Sequence, residues 1–152
     1  MQLDETDRRL LRHMLAAPDL PMADLAARAG ITQATGWRRL EKLQAGGVVL
    51  AQQAVINWRA LGYAVEVSLR FTLDKTEPRA FDEFLAAARA VPEVINIETF
   101  LGRVDVRLNV IARDMAHYQE IYRSRILTLP HIADIESLML ISRIKDSAEL
   151  PL

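Results

Sequence analysis

Asp24-Leu25-Ala26-Ala27-Arg28-Ala29-Gly30-Ile31-Thr32-Gln33-Ala34-Thr35-Gly36-Trp37-Arg38-Arg39-Leu40-Glu41-Lys42-Leu43 contains two helical patterns and the turn between them. Leu25, Ala26 and Ala29 recur on one helical stripe, which predicts a helix over about 22–29 that stops at Gly30. Ile31 supplies an apolar plug and Thr32 can cap a third helix over about 33–45, with Trp37, Leu40 and Leu43 on its apolar face. Small Ala26 allows close helix packing, and a glycine turn between two short helices is the form of a helix-turn-helix. The outward positions of the third helix are Gln33, Ala34, Thr35, Arg38, Arg39 and Lys42. In a major groove, a Gln at the helix start can pair with adenine, an Ala can touch a thymine methyl, and Arg38 can reach guanine or phosphate. Arg39 and Lys42 are expected to act as phosphate clamps. Trp37 is read as core in preference to base stacking. Gly36 inside a helix costs about 1 kcal/mol relative to Ala, a cost that close approach to DNA or to a neighbouring helix would justify. The competing reading is a plain three-helix bundle with a solvated basic face.

Upstream, Leu3, Leu10, Leu11, Met14 and Leu15 predict a first helix over 3–16, with Asp4, Glu5 and Asp7 suited to its positive end. Downstream, Gly46-Gly47 ends the third helix, and Val48-Val49-Leu50 with Ala54-Val55-Ile56 are expected to form a β-hairpin wing. Residues 57–63 read as a linker. Beyond it, Val65, Val67, Leu69, Phe71 and Leu73 alternate with polar residues, the pattern of a half-buried strand. A helix carrying Phe81, Phe84, Leu85 and Ala88 follows Pro78, and strands are expected at 94–101 and 104–112 around a tight Gly102-Arg103 turn. Asp114 caps a helix expected to turn Met115, Tyr118, Ile121 and Tyr122 inward, and a last strand covers 132–144. The fold class is therefore α+β: an N-terminal winged helix-turn-helix (1–56), a linker (57–63) and a C-terminal ferredoxin-like βαββαβ domain (64–152).

On the last strand Ile135, Met139 and Ile141 share one face, and Leu138, Leu140 and Ile144 the other. Two helices cover only one side of a four-stranded sheet, so the second apolar face predicts a homodimer formed through the sheets. Such a dimer would present two recognition helices about 34 Å apart, or at a multiple of that spacing, on duplex DNA.

Composition narrows the function classes. The chain has 152 residues, about half of them apolar, and no cysteine, so disulfides, thiolate metal sites and a cysteine nucleophile are excluded. It has no apolar run long enough for a membrane span, and the start lacks a basic and an apolar signal region. These features fit a cytoplasmic protein. Residues 1–60 carry eight Lys and Arg against six Asp and Glu, and residues 61–152 carry eleven against fourteen, a weak basic bias toward the first half. His13, His117 and His131 have no metal-ligand spacing, and no Ser/His/Asp set or phosphate loop is apparent, so no catalytic residue, metal or cofactor is assigned.

These motifs, in this order, resemble the Lrp/AsnC family of transcription regulators. The resemblance rests on Leu3–Leu11, on Asp24–Thr32 and Trp37–Val49, and on Pro92-Glu93-Val94, Leu101-Gly102-Arg103-Val104-Asp105 and Leu129-Pro130-His131-Ile132 through Ser137. It implies a DNA-binding regulator, a dimer often assembled into octamers, and an amino-acid effector held between C-terminal domains. It places Leu101, Gly102, Val104 and Asp105 at the effector pocket. Gly102 would let a ligand approach backbone, and Asp105 could pair with an α-ammonium group; alternatively the pair simply builds the hairpin. The family often has Pro and Thr early in the recognition helix, where this chain has Gln33, Ala34 and Thr35, so its operator is expected to differ. Siroheme decarboxylases resemble the same two-domain arrangement, which makes an enzyme of this fold the alternative.

Overall fold

The computed structural model describes residues 2–145. The chain divides into two compact units, the first built on Met1–Val55 and the second on Ile56–Arg143.

In the first unit, α1 (Glu5–Ala16), α2 (Met22–Arg28) and α3 (Gln33–Ala45) follow the apolar periodicity. Asp4 caps α1 reciprocally: its carboxylate accepts the Asp7 N–H at 2.8 Å, and the Asp7 carboxylate accepts the Asp4 N–H at 3.2 Å. Gly30 takes a left-handed φ of 72° between α2 and α3, which a side chain would strain. The Thr32 hydroxyl accepts the Thr35 N–H and starts α3. Leu10, Leu11, Met22, Leu25, Ala29, Leu40 and Leu43 form the core.

The expected wing hairpin does not form: residues 48–56 contain no strand. The N–H groups of Val48 and Val49 both turn back onto the Leu43 carbonyl, at 2.8 and 3.2 Å, and so close the end of α3. Leu50 and Val55 are almost fully exposed. Two three-residue apolar runs with no layer to cover them are too short to hold a hairpin. Residues 57–63 form consecutive hydrogen-bonded turns.

The second unit comprises β1 (Val65–Leu73), α4 (Ala80–Arg89), β2 (Val94–Thr99), β3 (Val106–Ala112), α5 (Met115–Ile121) and β4 (Ile132–Met139), and α5 runs on into a π-helical turn over Tyr122–Ile126. The four strands form one antiparallel sheet in the order β2-β3-β1-β4, as the βαββαβ pattern requires. Val67, Leu69, Phe71, Leu73, Val106, Leu108 and Val110 meet Phe84, Ala88, Tyr118 and Ile121 in a single core, so both helices lie on one face. Three expectations need correction. The β2–β3 connection is the loop 100–105, closed by the Phe100 N–H donating to the Asp105 carbonyl at 2.9 Å, not a two-residue Gly102-Arg103 turn. β4 ends at Met139, so Ile141 and Ile144 lie outside the ladder and are exposed. Met115, in the first turn of α5, also points to solvent.

Candidate functional site

The inner stripe of α3 is Gly36, Leu40 and Leu43, all buried at helical spacing. A Cβ on Gly36 would lie 2.8 Å from Met22 Sδ and 3.2 Å from Ala26 Cβ. Of the two reasons that could justify this glycine, the close approach of α2 is therefore the one the structure shows. Since Gly36 takes the inner position, Trp37 is rotated about 100° away from it. Trp37 is 50% exposed and is not core, which corrects the sequence expectation. Gln33, Ala34, Arg38 and Lys42 are exposed. Thr35 is half-buried and its hydroxyl accepts a hydrogen bond from Thr32 at 3.0 Å. The first turn of α3 carries no acidic residue, so nothing there opposes a phosphate at the positive helix end.

Arg39, expected among the phosphate clamps, is engaged inside the unit. Its Nη1 lies 2.7 Å from Asp4 Oδ2 and 2.7 Å from Asp7 Oδ1, and Asp7 is 1% exposed. Hydrogen bonds to Asp4 and Asp7 raise the Arg39 pKa further, and the same bond from Arg39 lowers that of Asp4. This pair ties the start of α1 to α3, so the Arg39 guanidinium is spent within the unit and positions α3. Asp7 was missed as a partner, although a signal existed: it falls on the Leu3–Leu10–Met14 stripe, where a carboxylate must be buried and so must find a cation.

In the second unit the expected effector residues part company. Leu101 and Gly102 are exposed on the loop and Val104 is half-buried. Asp105 is buried: its Oδ2 accepts the Leu73 N–H at 2.9 Å and its Oδ1 lies 3.1 Å from Lys75 Nζ. Its backbone N–H donates to the Phe71 carbonyl at 2.9 Å. Asp105 therefore fastens the loop to the end of β1, and pairing with a ligand ammonium is corrected to this internal role.

A cleft of about 330 Å³ lies elsewhere, between α5, its π-turn and edge strand β4, lined by Tyr118, Gln119, Tyr122, Arg123 and Ser137. The Tyr118 hydroxyl is sealed from solvent and makes no hydrogen bond of ordinary geometry. Burial pushes this phenol above its usual range, with Ser137 beside it pulling the other way. The sequence signal was Ser137 itself, a polar residue on the helix-facing side of β4 between Ile135 and Met139. A π-turn within a helix often marks a functional site.

A three-helix unit with a glycine turn before its third helix, followed by a βαββαβ unit that carries a cleft, is the arrangement of DNA-binding regulators with a ligand-binding domain. The family model described as winged helix-turn-helix DNA-binding matches residues 3–49, and that of the Lrp/AsnC ligand binding domain matches residues 66–150. The chain belongs to the Lrp/AsnC family of transcription regulators. It is 29% identical over 135 residues to the proline dehydrogenase transcriptional activator of Rhodobacter capsulatus, covering 89% of this chain and 88% of that one. An AsnC family transcriptional regulator from Agrobacterium tumefaciens superimposes with a TM-score of 0.86 at 28% identity, covering 98% of this chain and 97% of that one. A transcriptional regulator from Neisseria meningitidis, solved as an L-Met complex, shares the fold at a TM-score of 0.89 and 23% identity, covering 99% of this chain and 97% of that one. The family is one of regulators, and none of these similarities supports the decarboxylase alternative. Among the described residues no helix is long and apolar enough to cross a membrane.

Proposed function

We propose that the chain reads duplex DNA with the outward face of α3, where Gln33 and Ala34 meet base edges, Arg38 reaches a guanine or a phosphate, and Lys42 grips phosphate. The observation that carries this is the division of α3 into a packed Gly36–Leu40–Leu43 stripe and an exposed cationic face. Thr35 stands at the helix start and contributes through its capping contact with Thr32. The working unit is a homodimer joined through the helix-free faces of the sheets, with assembly to an octamer as its extension.

The effector is an amino acid with an apolar side chain. The cleft gives that side chain the rings of Tyr118 and Tyr122, and the Arg123 guanidinium is the cation nearest to hand for its carboxylate. Leu101, Gly102 and Val104, on the β2–β3 loop, are offered to a ligand held between two copies of the domain. The L-Met complex of the Neisseria protein supports this ligand class. The effector acts by binding one assembly better than another and so shifting the spacing of the recognition helices.

Genomic binding-site selection with purified protein tests the reading. The parent should enrich one duplex, with affinity falling steeply as salt rises. Arg38→Ala with Lys42→Ala should weaken that binding at least tenfold and flatten the salt dependence by about two counterions per chain. An apolar amino acid from a panel should change the affinity for the selected duplex. Undiminished binding by the double variant would sink the assignment of α3.

A further inference from the structure

Trp37 is a half-exposed indole on the surface of α3. A single half-exposed indole is no interaction patch by itself; what singles this one out is its place on the outward side of α3, beside exposed Ala34 and Arg38. The helix geometry says where this one points. At about 100° per residue, Ala34 and Arg38 lie at the centre of the outward face, and Trp37 and Lys42 lie on its two flanks. Trp37 is in the first half of the helix, the part that faces base edges in a docked helix-turn-helix. Its position is held firmly: Gly36 seats against Met22 and Ala26 on one side, and the Asp4–Asp7–Arg39 pairs fix the rotation of α3 on the other. Glu41, the only acid nearby on this face, is one turn further from the helix start.

We propose that Trp37 is a specificity-determining residue, whose indole packs against the C5 methyl of a thymine in the major groove, beside the base pair met by Ala34. The inference rests on the reading of α3 as the recognition helix. Base faces are stacked inside the duplex, so an indole entering the groove meets base edges, and the thymine methyl is the apolar group displayed there. Arg38 at the centre of the outward face and Lys42 on the flank opposite Trp37 outweigh Glu41 and leave this face of α3 cationic, which favours a polyanion over a second copy of this chain as the partner. Trp37 adds sequence choice without adding charge: it discriminates thymine from bases that lack the methyl, while the salt dependence stays with Arg38 and Lys42.

The test uses the full chain carrying Trp58→Phe, so that Trp37 is its one indole, and the duplex selected above with each thymine replaced in turn by deoxyuridine. Binding of the parent duplex should quench or shift the Trp37 emission. One symmetry-related deoxyuridine position should weaken binding about fivefold. In Trp37→Ala that penalty should vanish, with the salt slope unchanged and the melting temperature close to the parent. Trp37→Phe should retain part of the penalty. Unchanged emission on binding, a deoxyuridine penalty that survives in Trp37→Ala, or an emission change that follows protein concentration without DNA would each overturn the assignment. Failure to enrich any duplex would instead remove the DNA reading and Trp37 with it.

Discussion

Asp105 sits where a ligand-binding carboxylate was expected, yet both its oxygens are engaged within its own domain, by the Leu73 N–H and the Lys75 ammonium. Asp105→Ala leaves a buried N–H without an acceptor, which costs about 2 kcal/mol. A loss of unfolding free energy of that size, read from a urea midpoint lowered at unchanged m-value, is the expected result. Lys75 is 63% exposed on its side chain, so Lys75→Ala should lower the unfolding free energy by about 0.5 kcal/mol or less. A stable Asp105→Ala protein that had lost only its effector response would show that the carboxylate meets the ligand after all. Residue identity was legible in the sequence here, but the partner was not. Asp105 pairs 32 residues away, and Arg39 reaches back 35 and 32 residues to Asp4 and Asp7. Periodicity tells which face a residue occupies, and nothing in it tells which charge from another element arrives beside it. Asp7 on an apolar stripe was the one position where the need for a cation could be read in advance.

At the scale of the element, α3 turns on a residue with no side chain. Gly36→Ala should raise intrinsic helix propensity by about 1 kcal/mol. The added methyl meets Met22 Sδ at 2.8 Å and Ala26 Cβ at 3.2 Å, an overpacking that costs about 1–3 kcal/mol. The Met22 side chain can yield, but the Ala26 methyl is fixed to its backbone, so the balance falls on the side of loss. A thermal melt of Gly36→Ala should show a lower midpoint, and weaker DNA binding should accompany it as α3 is pushed off α2. A raised midpoint would mean that the two helices separate freely. The same glycine explains the misplaced Trp37. An apolar pattern registers Trp, Leu and Leu, and it cannot register the hydrogen atom that holds the innermost position. Elements with long, regular patterns, α1 to α3 and β1, were legible nearly to the residue. The wing and the Gly102-Arg103 turn were not, because short apolar runs form strands only where another layer is waiting to cover them.

At the scale of the whole molecule, the helix-free face of the sheet is more polar than the last strand alone suggested. Glu98, Arg107, Arg70 and Glu136 form one row across all four strands, and Asn96, Asn109, Ser68 and Leu138 form the next. The apolar part is narrow: Leu138 is 36% exposed, and Phe100 is 41% exposed with the Arg107 guanidinium 5.4 Å from its ring. A dimer seated on this face therefore depends on a few apolar contacts among satisfied ion pairs, and one misplaced charge should break it. Leu138→Arg sets an uncompensated cation in the row next to the Arg70–Glu136 pair, where it would meet its own symmetry mate across the seam, and removes apolar area without touching the core. Sedimentation should give the parent twice the mass of its 17.1 kDa chain, or eight times that mass where dimers assemble further, and the variant no species of either mass. The variant should keep the secondary structure and melting behaviour of its separate units. Its DNA binding should fall much further than any change in α3 would explain, since two linked recognition helices gain from effective concentration what a single one cannot. On a half-site duplex, parent and variant should bind alike. A Leu138→Arg protein that stays dimeric, or a monomer that still holds the full site at parental affinity, would place the subunit contact on a different surface.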